Sequence, residues 1–228
     1  MRLKALPLDG EAKYVEIDRI PDRCPVCHTS VRPKECYPGR ASPANANTVQ
    51  IVYQCTKTDC EALFIGIYTY RSLGPQNVSS YQLSEVLPSR PEIPEFPPEV
   101  ASLSSSFVEI FTQAMAAESA GLDQLVGIGL RKALEFLLKD FVVSQEPSNE
   151  DKIRRMPLAH CIKEYVKDPN VKKCAEKAVW LANDETHYTR RWENKDISDL
   201  KILTRLTVNW IESVILTDKY ESEMNAST

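Results

Sequence analysis

The sequence predicts an α+β protein: a small β-rich module in residues 1–86, a connector in 87–98 and an all-α domain in 99–228. Three observations carry this reading. Strand-like runs sit beside paired cysteines early in the chain, a proline-rich stretch follows, and beyond it the hydrophobic period becomes helical.

The strand-like runs are Val49–Tyr53 and Leu63–Tyr70, both rich in β-branched and aromatic residues. The connector, LPSRPEIPEFPP, holds five prolines in twelve residues. Proline removes backbone donors and biases its neighbour to extended conformations, so this segment reads as a stiff spacer that adds little core. A fragment beginning near Glu99 is therefore expected to fold alone as a helical domain.

Five helices are expected after it. Val100, Leu103, Phe107, Ile110, Phe111 and Ala114 share the face of a first helix, which Gly121 ends. Leu130, Leu134, Leu137, Leu138 and Phe141 mark a second, and Pro157 to Val166 a third. Asp168-Pro169 supplies a cap and first-turn proline for a fourth through Leu181. Asp196 or Ser198 caps the last, whose apolar face reads as Leu203, Leu206, Trp210 and Val214, with fraying after about Glu221.

Seven cysteines, an odd number, argue against a disulfide framework. The N-terminus meets Pro7, Asp9 and Glu11 before any long apolar run, so a secretory signal is not expected and the compartment reads as cytoplasmic. No window has the apolar length of a membrane span. Cys24-Pro25-Val26-Cys27 and Cys55-Thr56-Lys57-Thr58-Asp59-Cys60 each place two thiolates on a turn. Together they offer four sulfurs, the donor set of a closed structural zinc site of the zinc-ribbon type. The second spacing is wide, and Cys36 or His28 can stand in for one ligand; Cys36 itself reads as a loop residue, Cys161 and Cys174 as small core residues.

Net charge is −4. Residues 1–98 hold 11 Lys and Arg against 11 Asp and Glu, and the remainder 17 against 21. Neither half has the cationic footprint of a protein that coats nucleic acid, although Lys152–Arg155 and His187–Arg191 are local patches fit for a phosphate.

Two stretches, Gly129–Lys139 and Ala178–His187, resemble the family called domain of unknown function 4145, with its Arg-x-Ala-Leu-Glu helix and later Gly-Asn-Asp-x-x-His. The resemblance implies a HEPN-like (higher eukaryotes and prokaryotes nucleotide-binding) helical bundle behind a cysteine-pair module. It further implies a homodimer, a place in restriction or antiphage systems, and a protein or RNA/DNA partner. Catalytic HEPN proteins are metal-independent ribonucleases carrying Arg, a polar residue, three more residues, then His. Aligned on Asn183 and His187, that arginine falls at position 182, where this chain has Ala182. Candidate catalytic residues are thus His187 as acid or base, with Asn183, Arg131 and Glu135, and with Arg131, Arg190 or Arg191 as the cation. The expected function is a non-catalytic recognition or scaffold role, with His187-dependent RNA cleavage as the alternative. A zinc-ribbon transcription regulator ranks last, because no basic recognition helix is present. In a non-catalytic protein, Asn183 and His187 read as neighbours on one helical face that tie down the next loop, so His187→Ala is expected to destabilise the domain.

Overall fold

The structure, a computed structural model, describes residues 2–6, 13–42, 45–72 and 80–225. Residues 226–228 of the tail expected to fray, and Pro7, Asp9 and Glu11, lie outside the described residues. The fold is α+β. It forms two compact units, Met1–Glu92 and Ile93–Thr228.

The first unit is one sheet. Its strands are β1 (Arg2–Leu6), β2 (Lys13–Glu16), β3 (Lys34–Ser42), β4 (Asn45–Gln54), β5 (Leu63–Arg71) and β6 (Ser80–Leu87). They run in the order β2-β1-β3-β4-β5-β6, antiparallel except for the β1–β3 pair. The two strands legible in the sequence, β4 and β5, are the ones with continuous β-branched and aromatic runs. β6 reads SYQLSEVL, whose polar residues mask its period, and it claims Leu87 from the expected connector. Cys36 belongs to β3 rather than to a loop, and its side chain is exposed.

One face of the sheet is buried through the two-residue period of the pleat. Val49, Ile51 and Tyr53 along β4 are buried in turn, with Cys55 just beyond its end, and Phe64 and Tyr68 face them from β5. The Tyr53 and Tyr68 hydroxyls lie 2.7 Å apart, so two buried polar tips satisfy each other. Gly66 makes room for them, since a Cβ there would stand 3.0 Å from both rings.

The second unit holds α1 (Pro98–Leu103), α2 (Ser105–Ser119), α3 (Asp123–Gln145), α4 (Glu150–Arg155), α5 (Leu158–Tyr165), α6 (Pro169–Asp184) and α7 (Ile197–Asn225). The single helix expected over Val100–Ala114 is broken at Ser104. Its buried hydroxyl accepts from the Phe107 N–H and donates to Asp140, so a side-chain cap outcompetes the continuous ladder. Gly121, at φ +70°, ends α2; Leu122 N–H donates to Ala117 O and Gly121 N–H to Glu118 O, the paired bonds of a Schellman cap. Asp168 caps α6 by accepting from Asn170 and Val171 N–H. Asp196, not Ser198, caps α7, its Oδ1 accepting from Ser198 and Asp199 N–H.

α3 is central, with α2, α5, α6 and α7 laid against it. Leu130, Leu134, Leu137 and Leu138 are fully buried along it. At Gly129 a Cβ would lie 2.7 Å from the Ala114 Cβ, so glycine lets α2 approach closely. The connector adds core after all: Ile93 and Phe96 pack against this unit, the Phe96 ring centred 4.9 Å from Phe107 and 5.1 Å from Phe111. Cys161 is a core residue as expected, whereas Cys174 is only half-buried.

The expected face of α7 is half right, since Leu203 and Val214 pack against the core. Leu206 and Trp210 are exposed, while Leu200, Thr204, Thr207, Val208 and Ile211 are buried. The two threonines misled the pattern: their hydroxyls return to the carbonyls of Leu200 and Leu203, so they enter the core without unpaired polar atoms.

Candidate metal centre and helical cluster

The two cysteine turns are built alike. The first precedes β3, and the second is the turn between β4 and β5. In each, the residue after the second cysteine takes a left-handed backbone: His28 at φ 55° and Glu61 at φ 46°. In each, the first cysteine's backbone N–H closes the turn, Cys24 to Thr29 O and Cys55 to Ala62 O.

The Sγ atoms of Cys24, Cys27, Cys55 and Cys60 all lie within 4.8 Å of one another. The closest pairs cross between the turns: Cys24 to Cys60 at 3.9 Å and Cys27 to Cys55 at 3.8 Å. A tetrahedron with metal–sulfur bonds of about 2.3 Å has sulfur–sulfur edges of roughly 3.8 Å. Val26 N–H donates to Cys24 Sγ at 3.4 Å, and Lys57 N–H to Cys55 Sγ at 3.5 Å. Hydrogen bonds from the Thr29 backbone to Cys27 and the Ala62 backbone to Cys60 complete the pattern. Each sulfur thus accepts from the amide two residues on, which stabilises a thiolate. The Thr29 amide holds Cys27 down at about 6, while burial pushes Cys55 up to about 12. His28 and Cys36 stand outside the four-sulfur group. The cluster can hold a metal ion.

The helical candidates divide. Arg131 on α3 donates through Nε to Asn183 Oδ1 at 2.6 Å and through Nη1 to Glu135 Oε2 at 3.1 Å. Lys139 Nζ meets Glu135 Oε1 at 2.8 Å and also donates to Arg154 O at 3.0 Å. Against its own burial, bonds from Lys139 and Arg131 keep the Glu135 carboxyl below its usual range. Arg131, Asn183 and Glu135 therefore form one network joining α3 to α6.

His187 is not in that network. α6 stops at Asp184, so Asn183 and His187 do not share a helical face, and the His187 side chain is exposed in the following turn. Of the three candidate cations, Arg131 is bound as above, and Arg190 donates to Glu185 and to Lys195 O. Arg191 lines the same cavity as His187, about 380 Å³ in volume, together with Trp180, Asn183, Asp184 and Trp192. The Lys152–Arg155 patch is largely engaged, Lys152 with Glu164 and Arg154 with Glu150.

Asp184, unassigned by sequence reasoning, fixes this loop. It is 7% exposed and accepts from Arg191 N–H at 2.7 Å and Trp192 N–H at 2.9 Å. These two amides, Arg191 first, with the nearby Arg190 and His187 charges, hold its carboxyl below the ordinary range. A carboxyl lowered in the folded state stabilises above its unfolded pKa of about 3.9 and loses that effect as pH falls through the folded value. Hydrogen exchange should show Arg191 and Trp192 amides protected down to about pH 4 and released only below it. Asp184→Ala should remove that protection at neutral pH. His187→Ala should leave it intact and move stability by less than about 0.5 kcal/mol, contrary to the destabilisation expected from sequence.

The chain matches no protein-family model, no curated protein and no solved structure.

Proposed function

We propose that the chain is a zinc-stabilised recognition or scaffold protein, with a HEPN-like helical domain, serving a prokaryotic restriction or antiphage system. The observation that carries its first part is the closed cluster of four cysteine sulfurs, two of whose edges have the length of a zinc–thiolate tetrahedron's. Four thiolates leave no open coordination position, so the metal's role is to hold two turns together and not to activate water. The bundle and defence assignments rest on the resemblance of Gly129–Lys139 and Ala178–His187. Binding a protein or nucleic acid partner fits a chain whose charge is nearly balanced.

A second reading, a metal-independent ribonuclease acting through His187, is favoured by one observation: His187, Asn183 and Arg191 line one cavity. RNA cleavage through the 2′-hydroxyl needs an acid or base and a cation beside the phosphate. Against it, Ala182 stands where the ribonuclease motif has arginine, and it is buried. Incubation of the purified protein with mixed RNAs, with and without EDTA, decides between them. No cleavage is expected. Cleavage that survives EDTA and disappears in His187→Ala and Arg191→Ala, with melting temperature unchanged, would establish the nuclease.

A further inference from the structure

Two cavities of the helical unit share a pair of walls. One, of about 270 Å³, is an apolar groove lined by Leu181, Ile202 and Leu203 together with Trp180 and Trp192. The other is the cavity of about 380 Å³ that holds Asn183, His187 and Arg191, and the same two tryptophans line it. Trp180 is 47% and Trp192 39% exposed, so both rings stand open. Neither indole N–H has an acceptor among the described residues.

Each ring carries its own cation. Lys177 Nζ lies 4.0 Å from the centre of the Trp180 ring, and the Arg191 guanidinium 5.7 Å from that of Trp192. Neither cation forms an ion pair among the described residues. The two carboxylates that line the cavities are already engaged. Asp199 accepts from Lys195 Nζ and Asp196 N–H, and Asp184 from Arg191 and Trp192 N–H. An arginine can only donate, so Arg131 occupies Asn183 Oδ1 and leaves the Nδ2 donor over. The polar groups still free are thus chiefly donors. With His187 taken as neutral, the three lining cations Lys177, Lys195 and Arg191 stand against two carboxylates, which leaves one positive charge uncompensated.

We propose that this pair of cavities binds a small aromatic carboxylate, its ring set against Trp180 and Trp192 and its carboxylate drawn to Lys177 and Arg191. Flat rings gain from offset or edge-on contact with an indole beyond the area they bury. A single uncompensated positive charge suits a monoanion, whereas a dianionic phosphate monoester would leave one charge unmatched. The groove's Leu181, Ile202 and Leu203 side chains offer no donor or acceptor with which to read the edge of a nucleobase. Pockets of this kind, apolar with a few placed polar groups, are the usual small-molecule sites. The site asks nothing of the cysteine cluster or of RNA cleavage, and it goes beyond the proposed function.

The probe is 2-naphthoate, titrated into the full chain and followed by the indole N–H resonances. The chain has three tryptophans, and Trp210 lines neither cavity. The Trp180 and Trp192 signals should shift and saturate while that of Trp210 stays in place. The neutral 2-naphthol, of similar shape, should bind about tenfold more weakly, the loss expected for a charge-assisted hydrogen bond. The Lys177→Gln, Arg191→Gln double variant should weaken 2-naphthoate by at least as much, with helical circular dichroism unchanged. Adenosine monophosphate should bind more weakly than 2-naphthoate. No saturable shift at low millimolar probe, movement of Trp210 in place of the other two, equal affinity for 2-naphthol, full affinity in the double variant, or tighter binding of adenosine monophosphate would overturn the proposal.

Discussion

Cys24→Ser should unfold the unit Met1–Glu92 and leave the helical unit folded. Among the described residues the sheet's buried hydrophobic core is small: Ile17, Val49, Ile51, Tyr53, Phe64 and Tyr68, together with Cys24 and Cys55. A core of that size rarely stabilises a unit without a staple. Structural zinc contributes on the order of 10–16 kcal/mol in small zinc-binding peptides. Without it, four sulfurs held within 4.8 Å must either protonate or repel. Elemental analysis should give one zinc per native chain, and chelation should reproduce the mutant. The readout is loss of dispersed β-sheet amide resonances while helical circular dichroism persists. A Cys24→Ser protein that keeps its sheet, or a native protein with no metal, would defeat the zinc assignment.

The second large effect concerns where the helical unit begins. A fragment starting at Ile93 should melt cooperatively, whereas one starting at Glu99 should be less stable by about 2–4 kcal/mol. The difference is the loss of Ile93 and of Phe96, whose ring meets Phe107 and Phe111 edge-on. Urea melts of the two fragments, with Phe96→Ala in the longer one as a third, would measure it. Equal midpoints would show that the connector is a spacer only.

That case shows how the sequence misleads. Five prolines in residues 87–98 disfavour helix and inner strand, but they say nothing about whether an extended segment lays its apolar side chains on a neighbour. The same limit explains α7. Threonines at positions 204 and 207 read as polar, and only the helix shows them spending their hydroxyls on their own backbone. Ser104 reads as one more helical residue until its bonds to Phe107 N–H and Asp140 appear. By contrast the gathering of the four cysteine sulfurs was legible, because paired spacing on turns is local chemistry. So was the Asp168 cap, and Asp196 was one of two caps offered for α7. Residues that act across long separations were half legible: Arg131, Asn183 and Glu135 were singled out and do meet, but His187 was joined to them by assuming that α6 ran one turn further. Asp184, the residue that organises the following loop, is the Asp of the resembled Asn-Asp-x-x-His pattern, but nothing local to it says which amides it accepts from.

Cys55 follows directly on β4, in the next inward position after Val49, Ile51 and Tyr53. Strand alternation and metal ligation are therefore the same geometric fact. If β4 paired with β5 one residue out of step, Cys55 would turn to the outer face and the tetrahedron would lose a corner. Metal capture would thereby act as a proofreader of strand alignment: only a correctly aligned chain could close the site, and a misaligned one would stay metal-free.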